Sequence, residues 1–218
     1  EIYTLSLHDA LPICVSVFLS TALIAFNVFH LYQGFAKSVE ISFFQVANVI
    51  TTTGFGYGDT VKWPLFSQVI LLLLMCIGGS AGSTAGGFKV IRGIIISRIA
   101  KNQILSTLSP NRVLTLHING AVIDKDTQHK VLKYLAVYIL IILALIFIVS
   151  LDNNNFMTVV SGVVSCFNNI GPMIGTTDNF SIFSPFSKLL LAFAMIGGRL
   201  EIYPILLLFL PKTWSRRC

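Results

Sequence analysis

The sequence predicts an all-α integral membrane protein made of two successive units, each a membrane span, a short apolar helix that turns back, and a second span. Three observations predict it. Hydrophobic residues fill 55% of the 218 positions and charged residues only 11%, less than half of the quarter or so that a water-soluble domain keeps; the mean hydropathy is +0.81. Two uncharged runs of 18 residues, Cys14 to Leu31 and Tyr134 to Leu151, are each long enough to cross roughly 30 Å of hydrocarbon as a helix. Each is followed by an apolar stretch too short to cross and then by a glycine turn.

Taken in order, residues 1–13 (EIYTLSLHDALPI) resemble a translated sequencing adapter and are expected to be non-native, with native sequence from about Cys14. The first unit is expected over 14–97. Its short helix, 39–50 (VEISFFQVANVI), covers only about 18 Å at 1.5 Å per residue. Its second span starts at Leu65, gives way to the ten residues Gly78 to Gly87, five of them glycine, and resumes as VIRGIII. A connection over 98–130 follows, in which VLTLHINGAVID alternates around Asn119-Gly120, the signature of a type I′ hairpin. The second unit is expected over 131–212, with its short helix at 156–167, its turn at Asn168 to Pro172, and a second span interrupted at Gly197-Gly198; 213–218 form a tail.

Backbone that leaves a helix at membrane depth persists only where protein buries it or water reaches it, so both short helices are read as re-entrant. Gly54 aligns with Gly171 at an offset of 117, and MCIGG at 75–79 aligns with AMIGG at 194–198 at an offset of 119. Matched order together with matched glycines indicates an internal duplication.

Basic residues set the direction. Eight of them lie between Lys89 and Lys133 against two acids, and Lys212, Arg216 and Arg217 follow at the end. These parts are therefore expected in the cytoplasm and the glycine turns outside. The excess of 15 Lys and Arg over 9 Asp and Glu is thus a topology signal and not a nucleic-acid footprint. Four scattered cysteines without a CxxC pair predict neither a disulfide framework nor a metal site.

Three segments carry chemistry. Thr51 to Asp59, TTTGFGYGD, contains a T-x-G-F-G pattern at Thr52 to Gly56, with a second register ending in Gly56-Tyr57-Gly58-Asp59. A dehydrating potassium ion exchanges water for several inward-facing carbonyl oxygens, and glycine reaches the positive φ that such backbone needs. The plain alternative is a glycine-rich outer loop. The second turn, NNIGP, keeps only the glycine and owes its interest to its place in the duplication. Gly78 to Gly87 holds a regular helix at a cost of about 1 kcal/mol per glycine, so it is either a close-packing stripe or a segment that bends. Arg199, aligned with Ser80, is an ionisable group inside an apolar span, where it faces water, a partner or a structural pair; Glu201, two residues on, points to another helical face. Asp59 and Asp178 follow the turns and draw cations or are simply solvated acids, the commoner case.

The segments TTTGFGYGD, GGSAGSTAGGFKVIR, NNIGP and MIGGRLEIYPILLLF, in this order, resemble the last two of the four span-pore-span repeats of the Trk/Ktr/HKT potassium transporter superfamily, of the TrkH/KtrB type of bacterial potassium uptake subunit. The resemblance covers everything from about residue 14. It implies half of a four-repeat pseudo-tetrameric pore, here repeats three and four, that takes up potassium across the bacterial inner membrane. A selectivity filter is then implied at Thr52, Thr53, Gly54, Phe55, Asn169, Ile170 and Gly171, with potassium held by the carbonyls of Thr52, Thr53, Asn169 and Ile170. It further implies a gate at Gly78, Gly79, Ser80, Gly82, Ser83, Thr84, Gly86 and Gly87, met by Arg199. As partners it implies a second copy of the chain and a cytoplasmic nucleotide-binding regulatory subunit, touching the Asn119-Gly120 hairpin and the tail. No cofactor and no nucleic acid are implied, and the gated pore is expected to carry half of the filter.

Other classes fit less. Gly78-Gly79-Ser80-Ala81-Gly82 satisfies G-x-S-x-G, but that motif needs a strand before it, and His117 and His129 fall in the basic connection. Phe88 between Gly87 and Lys89 breaks a Walker A loop. No enzyme is expected. A two-repeat potassium channel working as a dimer accounts for two units without further repeats, although NNIGP and the broken second spans speak against it. A non-conducting membrane scaffold is the third reading.

Overall fold

The computed structural model describes residues 7–32, 34–55, 60–79, 86–108, 117–118, 121–174 and 180–199. Seven α-helices account for nearly all of them: α1 (Leu7–Val28), α2 (Phe35–Ile50), α3 (Leu65–Ile77), α4 (Val90–Leu108), α5 (Lys125–Val149), α6 (Phe156–Phe167) and α7 (Pro185–Arg199). Between α4 and α5 two antiparallel strands of two residues, β1 (His117–Ile118) and β2 (Ala121–Val122), pair His117 with Val122 and Ile118 with Ala121. That register leaves Asn119-Gly120 as the two-residue connection the sequence predicts, although those two residues lie outside the described ones.

Among the described residues, two helices are long and apolar enough to cross a membrane, at Leu11–Leu31 and Asp126–Asp152. Residues 7–13, expected to be foreign, run continuously into α1. The helix α4 extends to Leu108 and α5 begins at Lys125, so helix occupies much of the stretch expected as a connection. The short helix α2 starts four residues ahead of the expected 39, at Phe35, after Gly34 at φ 129°. Its buried face, Ser38, Ile41, Ser42, Gln45, Val46 and Val49, follows the i, i+3, i+4 spacing of an amphipathic helix. By contrast α6, at 156–167 as expected, is buried from Val163 through Phe167 without a break, as a helix enclosed on all sides must be.

The two units repeat in their joints as well as their helices. A single 3₁₀ turn follows the first helix of each, at Phe29–Leu31 and Ser150–Asp152, and another precedes the third, at Thr60–Lys62 and Phe180–Ile182. Polar bonds clamp these joints at one end of each unit. In the first, the Trp63 indole N–H donates to the Tyr32 hydroxyl at 3.0 Å and the Ser67 hydroxyl to Asn27 Oδ1 at 2.8 Å. In the second, the Ser184 N–H donates to Asp152 Oδ2 at 3.0 Å.

Each unit has its own apolar core, and the two share a border. Ile24, Val28, Val46, Val49, Leu71 and Met75 centre the first, but Val164, Ile170 and Ile174 of the second unit are built into it. Tyr138, Val149, Val159, Val163, Phe167 and Leu191 centre the second. Large apolar side chains on the outside, such as Phe18, Phe26, Leu140, Phe147 and Phe193, leave broad apolar faces on α1, α5 and α7.

The glycine pair in the last helix is itself helical, α7 running through Gly197 and Gly198 to Arg199, and the chain beyond Arg199 lies outside the described residues. The pair serves close packing, because a Cβ on Gly198 would fall on the carbonyl oxygen of Phe167. In the first unit the break is present, α3 ending at Ile77 with Gly78 at φ 68°. Gly198→Ala is therefore expected to destabilise the full-length subunit by ~1–3 kcal/mol through overpacking, read as a lower midpoint of thermal unfolding in detergent. Gly93→Ala, whose methyl would meet nothing within 4 Å, is expected to hold that midpoint or raise it by up to ~1 kcal/mol.

Candidate functional site

The site is built where the two short helices end. As α2 stops, the N–H groups of Thr51, Thr52 and Thr53 turn back to the carbonyls of Ala47, Val49 and Asn48 at 3.0, 3.2 and 3.1 Å. As α6 stops, those of Asn168, Asn169 and Ile170 turn back to Val164, Cys166 and Ser165 at 3.0, 3.1 and 2.9 Å. Donors and acceptors alike are displaced by 117 residues, the offset of the two glycines. Backbone angles repeat with them: Thr52 and Asn169 have φ 53° and 57°, Gly54 and Gly171 φ 83° and 108°. Left-handed backbone is uncommon for asparagine and a genuine outlier for a β-branched threonine, and two such residues at matched positions mark an imposed geometry.

The bonding leaves the turns polarised. Their N–H groups are spent on the helix ends, whereas among the described residues the carbonyls of Thr52, Thr53, Asn169 and Ile170 accept no hydrogen bond. Helix ends carry partial negative charge from their last carbonyls, and α2 and α6 both present that end to the turns.

The two turns meet. A Cβ on Gly54 would fall on the carbonyl oxygen of Ile170, and one on Gly171 would lie 3.7 Å from the Gly54 Cα. Of the filter residues predicted from sequence, Thr52, Thr53, Gly54 and Phe55 are thus brought beside Asn169, Ile170 and Gly171. Phe55 differs from its neighbours: its ring is 66% exposed, its N–H donates to Asn48 Oδ1 at 2.9 Å, and its carbonyl accepts from Asn48 Nδ2 at 2.6 Å. Its carbonyl is therefore held sideways by the helix.

Other bracing residues escaped the sequence reading. Ser165, the counterpart of Asn48, accepts the Gly171 N–H on its hydroxyl at 3.1 Å. The Asn169 amide donates to the Met195 carbonyl of α7 at 3.0 Å, and the Tyr138 hydroxyl of α5 donates to Asn168 Oδ1 at 2.8 Å. A polar residue at the same register in both short apolar helices, Asn48 and Ser165, was the available signal; the bonds to α5 and α7 had none in local sequence.

Of the predicted gate, Gly78, Gly79, Gly86 and Gly87 are described, and Ser80, Gly82, Ser83 and Thr84 lie outside the described residues, as do Asp59, Asp178 and Glu201. The two described ends lie together, the Phe88 N–H donating to the Cys76 carbonyl and the Val90 N–H to that of Gly79, each at 3.2 Å. They also lie under the second turn: a Cβ on Gly86 would fall on the carbonyl of Asn168. Arg199, the last described residue of α7, is exposed. A helix, α3, leads into Gly78 where a nucleophile elbow needs a strand. No group of three His, Cys, Asp or Glu suited to a metal is present among the described residues.

Paired short helices whose turns meet on unbonded carbonyls define the site, and comparison with known proteins gives its family. The profile of the TrkH family, described as a cation transport protein, matches residues 11–216. The chain belongs to that family. It is 34% identical over 189 residues to the Trk system potassium uptake protein TrkH of Escherichia coli K12, covering 85% of this chain and 39% of that protein. To the Trk system potassium uptake protein TrkG of the same strain it is 32% identical over 174 residues, or 79% of this chain and 36% of that one. The crystal structure of the potassium transporter TrkH from Vibrio parahaemolyticus has a similar fold, with a TM-score of 0.85 and 27% identity over 93% of this chain and 44% of that one. The chain thus spans about two fifths of the curated relatives it matches.

Asn48→Ala removes both bonds that hold Phe55. It is expected to cost about 1–3 kcal/mol locally, read as faster hydrogen exchange at the Phe55 amide with the amides of α6 unchanged.

Proposed function

We propose that this chain forms the third and fourth repeats of a bacterial potassium uptake subunit and contributes two of the four strands of its selectivity filter. The observation that carries the reading is the pair of turns, matched bond for bond at an offset of 117, that face each other with unbonded carbonyls. Potassium is the transported ion, and the reading needs no cofactor and no enzymatic step. The ion sheds water and receives in exchange the carbonyls of Thr52, Thr53, Asn169 and Ile170, while the ends of α2 and α6 add negative potential.

The broad apolar faces and the two span-length helices support placement in the inner membrane, with α2 and α6 entering from outside and returning. The basic connection and tail then lie in the cytoplasm. The segment Gly78 to Gly87, of which Gly86 lies against the second turn, acts as the gate, with Arg199 against it in the closed state. A homodimer and a nucleotide-binding regulatory subunit on the cytoplasmic face complete the assembly, supported by the names of relatives as members of a Trk system.

Two measurements in the full-length subunit test this. Gly54→Ser places side-chain atoms where the Ile170 carbonyl stands and is expected to lower the potassium-to-sodium permeability ratio about tenfold, a loss of ~1.4 kcal/mol in discrimination; an unchanged ratio overturns the filter. Arg199→Ala is expected to raise potassium flux in the absence of the activating nucleotide, and unchanged flux and regulation overturn the gate contact.

A further inference from the structure

The filter reading assigns no role to Tyr138, although this residue touches the second turn, the end of α6 and the return end of the glycine-rich segment. It stands on α5, thirty residues from Asn168, with its ring in the core and 5% exposed. Its ring centroid lies 5.4 Å from that of Phe167, the last residue of α6, and 5.6 Å from that of Phe88, at the return end of the glycine-rich segment. Its hydroxyl donates to Asn168 Oδ1 at 2.8 Å. Asn168 is wholly buried, its own Nδ2 has no partner among the described residues, and its backbone carbonyl abuts Gly86.

The first turn is held differently. Thr51, the counterpart of Asn168, is exposed and bonds only locally, its hydroxyl to the Ala47 carbonyl at 2.7 Å and to the Thr53 hydroxyl at 2.6 Å. The second turn has no threonine hydroxyls to do this, since NNI replaces TTT. Its one side-chain anchor at that register comes from α5.

We propose that Tyr138 is a positioning residue for ion selection: through Asn168 its hydroxyl fixes the rotation of the second turn and so the direction of the Asn169 and Ile170 carbonyls. This rests on the filter reading above. A buried amide has few ways to be satisfied, and the bond to Tyr138 selects one orientation for Asn168; without it the residue beneath the two carbonyls has neither end of its amide fixed. Selectivity thus depends on a span side chain that never touches the ion.

The test uses the full-length subunit in liposomes, with reversal potentials measured in potassium and sodium gradients for wild type, Tyr138→Phe, Asn168→Ala and Gly54→Ser. Tyr138→Phe keeps the ring contacts and deletes the hydroxyl, with its bonds to Asn168 and to the Cys76 thiol; Asn168→Ala separates the two, since it leaves the Cys76 bond in place. Tyr138→Phe is expected to lower the potassium-to-sodium permeability ratio about threefold to tenfold, the range of one hydrogen bond, with Asn168→Ala lowering it at least as far and the double variant no further than Asn168→Ala alone. Unchanged ratios in Tyr138→Phe and Asn168→Ala, with Gly54→Ser still impaired, overturn the proposal and leave the filter standing. Altered flux at a constant ratio also overturns it, since it assigns the bond to the gate. An unaffected Gly54→Ser overturns the filter reading itself.

Discussion

Backbone that leaves a helix inside an apolar surround has to satisfy its own polar groups, and the rest of this structure depends on how two turns meet that demand. Both fold three successive N–H groups back onto the helix that has just ended. Donors are thereby exhausted and acceptors left over. Carbonyls left over in this way are free to meet a cation, so the device that ends each helix is also the one on which the proposed filter rests. Left-handed Thr52 and Asn169 are what that device demands of the chain.

The two turns reach the same backbone by different side chains. Threonine hydroxyls bond to one another on an exposed surface in the first, whereas the second is enclosed by α5, α6 and α7 and tied to them by Tyr138, Ser165 and Asn169. The path of the chain is the same in both turns, and the means of holding it differ. The joints changed likewise: an indole to a phenol at one, a carboxylate to a backbone N–H at the other.

Much of this was legible in the sequence. An absence of charge over 18 residues permits few outcomes other than a span, and a helix too short to cross, ending at a glycine, permits few outcomes other than a turn. The hairpin register came from Asn-Gly alone. What could not be read is whatever depends on contact. Gly197-Gly198 carries the same local signal as Gly78-Gly79, yet the former pair is helical and packs against the Phe167 carbonyl, whereas α3 ends at Ile77 with Gly78 at positive φ. Lys37 and Ser38 masked the first turn of α2, whose inner face is set by packing on α1. Tyr138 read as one more aromatic in an apolar run.

Ile170 belongs by sequence to the second unit and by packing to the core of the first. The first core is therefore open along one side until the second unit is in place, and the residue that closes it is the one whose carbonyl faces Gly54. The contact that joins the two units is thus also the contact that brings the two turns together. A change of side chain at Ile170 is therefore felt in the packing of both units and in the spacing of the two turns at once.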